Sequence, residues 1–264
     1  MPALVEDVGR ETLSLFGYVG ALSVQMWITL RATLQIAGNR HRWKSSILQM
    51  LQIGVDALPM IGLMSICVGF ILALQGASEL RRFGAIRYVI DLVAVGFTRE
   101  LGPLLTALAV SGRSGSAFSA EIGTMMVTEE VDALRVMAFD PIEFVLAPKY
   151  VAALIAVPCL AILANVCGIF SGWIFMFFST HLGFGLYLRY VLNSIQVRDV
   201  IVGLIKSLAF ATIIVQVGCL EGFRVRGGPE AVGRSTTAAV VKSTFLVIVA
   251  DVVFTAIFYA IGTS

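Results

Sequence analysis

Charge is scarce in this chain. Asp, Glu, Lys and Arg make up 14% of its 264 residues, while hydrophobic residues make up 58%. Soluble domains carry about 25% charged residues, so a water-soluble globule is excluded and a polytopic membrane protein is expected. The mean hydropathy of +0.91 agrees. There are two histidines, His41 and His181, and neither sits in an HExxH motif. A Walker A sequence is missing as well, so any ATP used by the system is expected to be hydrolysed by a separate chain. The four cysteines lie in apolar runs without metal-ligand spacing. Cys159 and Cys167 stand roughly 12 Å apart along a helix, too far to bridge. The opening MPALVEDVGRE is acidic, unlike a cleavable signal peptide. No catalytic residue, no metal and no cofactor are expected in this chain.

What is present is a series of long apolar runs. A bilayer needs about 20 apolar residues per helix, and five stretches qualify. They cover about 53–76, 88–112, one span within the uncharged 150–188, 199–221 and 239–262. The expected fold is therefore all-α, with about five transmembrane helices. The tail of the third stretch, FSTHLGFGLYLRY, reads as an interfacial loop or re-entrant piece. GFRVRGGPEAVGRSTT, after the fourth, reads as a glycine-rich loop.

Residues 10–37 are only moderately apolar. Gln25, Thr29 and Thr33 recur at helical spacing opposite Phe16, Val24 and Trp27, a pattern suited to a helix lying in the membrane interface. The uncharged 12–30 leaves a weak spanning helix as the alternative. The cluster Arg40, His41, Arg42, Trp43 and Lys44 marks a cytoplasmic boundary. The chain thus divides into an amino-terminal interfacial region, 1–45, and a transmembrane domain, 46–264. With the amino terminus inside, basic residues number eleven inside against five outside, which favours that orientation. Arg81, Arg82 and Arg87 fall outside and point to an acidic lipid surface or a partner there.

Residues 98–141 carry most of the polar information. Arg99 and Glu100 interrupt an apolar run, and adjacent helical residues point about 100° apart, so each needs its own partner. Lys206 and Asp251 are the matching charges in the fourth and fifth spans. Each would cost about 2.5–3.5 kcal/mol alone at a helix centre, so pairing is expected. Glu100 with Lys206 and Arg99 with Asp251, or the exchanged pairs, are both open. Residues 113–141 are too polar to span. A helix over about 119–137 there would form a cytoplasmic handle, with Glu121, Met125, Met126 and Leu134 among its contacts and Glu129, Glu130 and Asp132 towards water. In the first span Gly62, Gly69 and Gly76 form a small-residue face with Gln75 at its end. Such faces let helices approach closely in lipid.

RELGP at 99–103, GRSGSAFSAEIGTMMVTEEVDAL at 112–134 and FDP at 139–141 together resemble the signature of the MlaE-type permeases. LQG at 74–76, IKS at 205–207 and the late Asp251 extend the resemblance over nearly the whole chain. The family implies the membrane subunit of an ABC system that moves phospholipid between inner and outer membranes. It implies a homodimer in the bacterial inner membrane, a cytoplasmic ABC ATPase gripping 113–141, a periplasmic MCE-domain protein and, in some systems, a STAS-domain protein. It also places Arg99, Glu100, Lys206 and Asp251 at the family's intramembrane charge positions. Five spans make too small a wall to enclose a lipid, so a cavity between two copies is expected. The first and fifth spans would line it, through Gly62, Gly69, Gln75 and Gly76. A secondary transporter of a lipophilic substrate is the alternative, but such folds show repeats and helices broken at midplane, and no repeat is visible.

Overall fold

The computed structural model describes the backbone of residues 2–36 and 40–262 and the side chains of residues 16–33 and 43–262. Among these residues every regular element is helical. In order they are α1 (Pro2–Ile36), α2 (Trp43–Arg82), α3 (Tyr88–Val127), α4 (Glu130–Val136), α5 (Ile142–Thr180), α6 (Phe184–Ser194), α7 (Val197–Phe223) and α8 (Pro229–Ala260). Five of them, α2, α3, α5, α7 and α8, are long and apolar enough to cross a membrane. The expected all-α polytopic architecture is what forms.

The spans are longer than their apolar runs. At about 1.5 Å per residue, α2 and α3 each reach roughly 60 Å, twice the roughly 30 Å of hydrocarbon. Composition marks where lipid contact ends, whereas the helical hydrogen bonds continue into polar sequence. For the same reason the expected handle helix over 119–137 does not exist as one piece. Its first half is the end of α3, and Glu129, in the left-handed conformation at φ 59°, separates it from the short α4. The expected loop after the fourth span also shrinks. Gly227 turns at φ 108° and Pro229 opens α8, where its missing N–H costs nothing. Ser235, Ala239, Ser243 and Val247 then recur every four residues as the buried edge of that helix. FSTHLGFGLYLRY is likewise mostly helical. His181 ends α5 in the left-handed conformation, and α6 buries Tyr187 and Val191.

Helix α1 lies against α5 and α7 and is not among the five long apolar helices. The polar stripe expected of an interfacial helix turns inward, towards the bundle. The Gln25 amide donates to the Gln216 carbonyl at 3.0 Å and to its side-chain oxygen at 2.9 Å, and Thr29 is buried. Phe16, Val24 and Trp27 are exposed instead. In lipid, apolar side chains are the compatible outer surface, and polar groups find their partners in the bundle. Of the basic boundary cluster, the side chains of Arg40, His41 and Arg42 lie outside the described residues.

Two apolar clusters form the core, one towards each end of the bundle. Ile53, Val110, Phe118, Ile122, Tyr150, Phe210 and Ile214 pack at the end near α4. Val89, Ile90, Val93, Phe97, Met176, Tyr187 and Val191 pack at the other. Between them α3 and α7 run backbone against backbone. A Cβ at Gly203 would stand 2.2 Å from the Thr98 carbonyl oxygen, so only glycine permits this approach.

Candidate functional site

The site forms where that close approach brings charges together. Pro103 lacks the N–H that would bond the Arg99 carbonyl. The helix widens just before it into a π turn, Phe97–Leu101, in which the Gly102 N–H reaches back to the Phe97 carbonyl. Such turns recur at functional sites. Within it, Arg99 and Glu100 both reach α7. The Arg99 Nε donates to Asp199 Oδ1 at 2.5 Å. Asp199 is 1% exposed and also accepts the Gln196 backbone N–H at 2.8 Å, half of a capping box at the α7 amino terminus. That terminus favours negative charge.

Seven residues along α7, Lys206 is fully buried. Its ammonium has three donors and no acceptor, and three acceptors meet it. They are the Glu100 carboxylate, Asp251 Oδ1 at 2.9 Å and Thr255 Oγ1 at 2.7 Å. The cluster joins α3, α7 and α8. Glu100 lies at its open edge, its side chain 36% exposed against 15% for Asp251.

All four expected charges therefore enter ion pairs, and the expected Glu100–Lys206 pair forms, but the rest of the partition differs from expectation. Arg99 does not meet Asp251, and Asp251 shares Lys206 with Glu100. The partner missed was Asp199, which stands at the edge of an apolar run and reads there as a boundary charge. Its signal was the Q-x-x-D spacing of a capping box.

The glycine face of α2 is also placed differently. A Cβ at Gly69 would lie 2.3 Å from Ser171 Oγ and 2.4 Å from the Gly168 carbonyl oxygen. At Gly76 it would lie 2.9 Å from Leu92 Cδ2, and at Gly62 it would lie 3.9 Å from Cys167 Sγ. These glycines seat α2 against α5 and α3 of the same chain. Gln75 is exposed.

Towards the opposite end, polar contacts tie the helices. Glu121 pairs with the buried Lys149 at 2.6 Å, whose ammonium lies over the Phe118 ring. Arg113 joins α3 to α2 through Asp56 at 2.8 Å. Lys242 pairs with Glu221 at 2.9 Å, and Lys242 and Arg224 both lie over the Tyr18 ring. Burial first, then the Glu221 carboxylate, pushes the Tyr18 phenol above its ordinary range. Met125, Met126 and Leu134 are partly buried, while Glu129, Glu130 and Asp132 are exposed. Val136, Met137 and Phe139 are exposed as well, which leaves an apolar tip beside an acidic edge.

Known proteins match this chain along almost its full length. The family described as permease MlaE matches residues 46–257. A probable ABC transporter permease protein of Rickettsia bellii is 34% identical over 258 residues, 98% of each chain. The intermembrane phospholipid transport system permease protein MlaE of Haemophilus influenzae is 32% identical over 259 residues, again 98% of each. The chloroplastic protein TRIGALACTOSYLDIACYLGLYCEROL 1 of Arabidopsis thaliana is 33% identical over 233 residues, 87% of this chain and 65% of that one. With these matches and five helices long and apolar enough to cross a membrane, the chain belongs to the MlaE permease family.

Proposed function

We propose that this chain is the permease subunit of an ABC-type phospholipid transporter in a bacterial inner membrane. It acts as a homodimer with a cytoplasmic ABC ATPase on the α3–α4 foot and an MCE-domain protein on the periplasmic side, with a STAS-domain protein as a further partner. The observation that carries this reading is the Lys206 cluster. Three charged groups on three spans meet within the apolar part of the bundle, one of them at an open edge. Charges at that depth are expensive and mark substrate pathways, and the name of the Haemophilus influenzae relative points to phospholipid.

Helix α3 connects the two ends of the machine. Glu100 and the handle at Glu129–Leu134 lie on one continuous helix and the short helix that follows it. Closure of the ATPases moves the foot, tilts α3 and shifts Glu100 relative to Lys206 and Asp251. The lipid-facing edge of the cluster changes as the nucleotide state changes. Chemistry remains in the ATPase, and this chain converts its motion into access.

The test is reconstitution of the complex in vesicles, with transfer of a fluorescent phospholipid to acceptor vesicles or to the MCE-domain protein. ATP-dependent transfer, lost with a hydrolysis-deficient ATPase, is expected. Lipid movement indifferent to ATP, or a chain that purifies without any ATPase, overturns the reading.

A further inference from the structure

A second polar feature lies at the end of the bundle away from α4, the outer end in the orientation expected from the basic residues. Arg87, at the α3 amino-terminal cap, and Asp91 are four residues apart on one helical face. Opposite charges at that spacing ordinarily pair, yet among the described residues no ion pair joins them. Helix α6 holds them apart. The Arg87 guanidinium lies over the Tyr190 ring at 4.2 Å, and Asp91 accepts the Ser194 hydroxyl. Between them is a pocket of about 370 Å³, bounded by Arg87, Asp91, Val95, Tyr190, Asn193 and Ser194.

The surroundings suit the edge of the hydrocarbon. Phe83 and Tyr88 are largely exposed beside it, and aromatic side chains gather where hydrocarbon meets water. Asp91 stands nine residues before Glu100, roughly 13 Å along the helix, so this pocket is separate from the Lys206 cluster. Val95 and the exposed Leu92 supply apolar surface below the charges.

We propose that this pocket holds the headgroup of an ethanolamine-type zwitterionic phospholipid from the outer leaflet. Such a headgroup carries a phosphate and an ammonium two carbons apart. The Arg87 fork fits the phosphate, Asp91 receives the ammonium, and the Asn193 amide adds a neutral hydrogen bond. A glycerol headgroup presents the phosphate but no cation to Asp91. A quaternary ammonium has no N–H to donate. Free phosphate satisfies Arg87 and is repelled by Asp91. The assignment does not rest on the transport reading, since a lipid bound at this edge is compatible with any activity of the bundle.

The experiment is native mass spectrometry of the delipidated, intact complex titrated with phosphatidylethanolamine, phosphatidylglycerol or phosphatidylcholine of identical chains. The wild type is expected to hold one phosphatidylethanolamine per chain about tenfold more tightly than phosphatidylglycerol, the scale of one hydrogen bond to a charged group. Arg87→Gln should weaken all three lipids. Asp91→Asn should erase the preference for ethanolamine over glycerol, and because the readout is a ratio, reduced yield does not obscure it. An unchanged ratio in Asp91→Asn overturns the proposal. So does displacement of the bound lipid by an equal concentration of inorganic phosphate, which would make the pocket a free-anion site.

Discussion

Lys206 shows how a charge is kept inside a membrane bundle. Its three donors have three acceptors, and no part of it reaches the surface. Removing it leaves Glu100 and Asp251 as two carboxylates without their shared cation, and stranding a buried charge costs about 3–5 kcal/mol. Lys206→Ala should therefore lower membrane yield and thermal stability strongly. The double variant Lys206→Ala, Glu100→Gln should recover little, because Asp251 is then still unpaired. Only Lys206→Met with Glu100→Gln and Asp251→Asn should restore a folded bundle, one expected to be inactive in lipid transfer. Thermal melting of the four proteins by detergent-solubilised fluorescence decides this. Full recovery in the double variant would show that Asp251 is not a partner of Lys206.

At the level of the helix, α3 gains its role from two local departures from regularity. The π turn before Pro103 aims Arg99 and Glu100 at α7, and the left-handed Glu129 redirects the chain into α4. The five apolar helices and the four charges were legible in the sequence, because hydrocarbon thickness and the cost of charge act on composition directly. The breaks and partners were not. A left-handed Glu129 leaves no compositional trace, and Asp199 resembled any boundary carboxylate until α3 was seen beside it. The inward turn of Gln25 and Thr29 was missed for a related reason: in lipid the polar side of a helix faces the protein. The handle itself is tested by reversing both exposed carboxylates, Glu129→Lys with Glu130→Lys. Neither forms an ion pair among the described residues, so folding should survive while co-purification of the ATPase falls or hydrolysis uncouples from lipid transfer. Wild-type transfer by this variant would reduce the two carboxylates to a solvated edge.

At the scale of the whole molecule, the proposed homodimer raises the question of which face would meet a second copy. Exposed apolar side chains do not answer it, since lipid tails and protein both accept them. The polar seam between α3 and α8 does. Glu100 is 36% exposed there and Thr255 is exposed beside it, and neither suits contact with hydrocarbon. That seam must face protein or a water-containing cavity. Next to it α8 has only 11% of its apolar stretch buried, against 56% for α3 and α7, and it presents Phe245 and Val252, each 65% exposed. The glycines of α2 are already occupied by α5 and α3, so in the proposed homodimer α8 rather than that glycine face is the surface expected to meet the second copy. In a background with Cys67, Cys159, Cys167 and Cys219 replaced, Phe245→Cys and Val252→Cys should each crosslink two chains in native membranes. Val166→Cys, exposed on α5, should not. Crosslinking through Val166→Cys in place of the α8 positions would put the interface on the wrong helix, and a complex with a single copy would remove the shared cavity altogether.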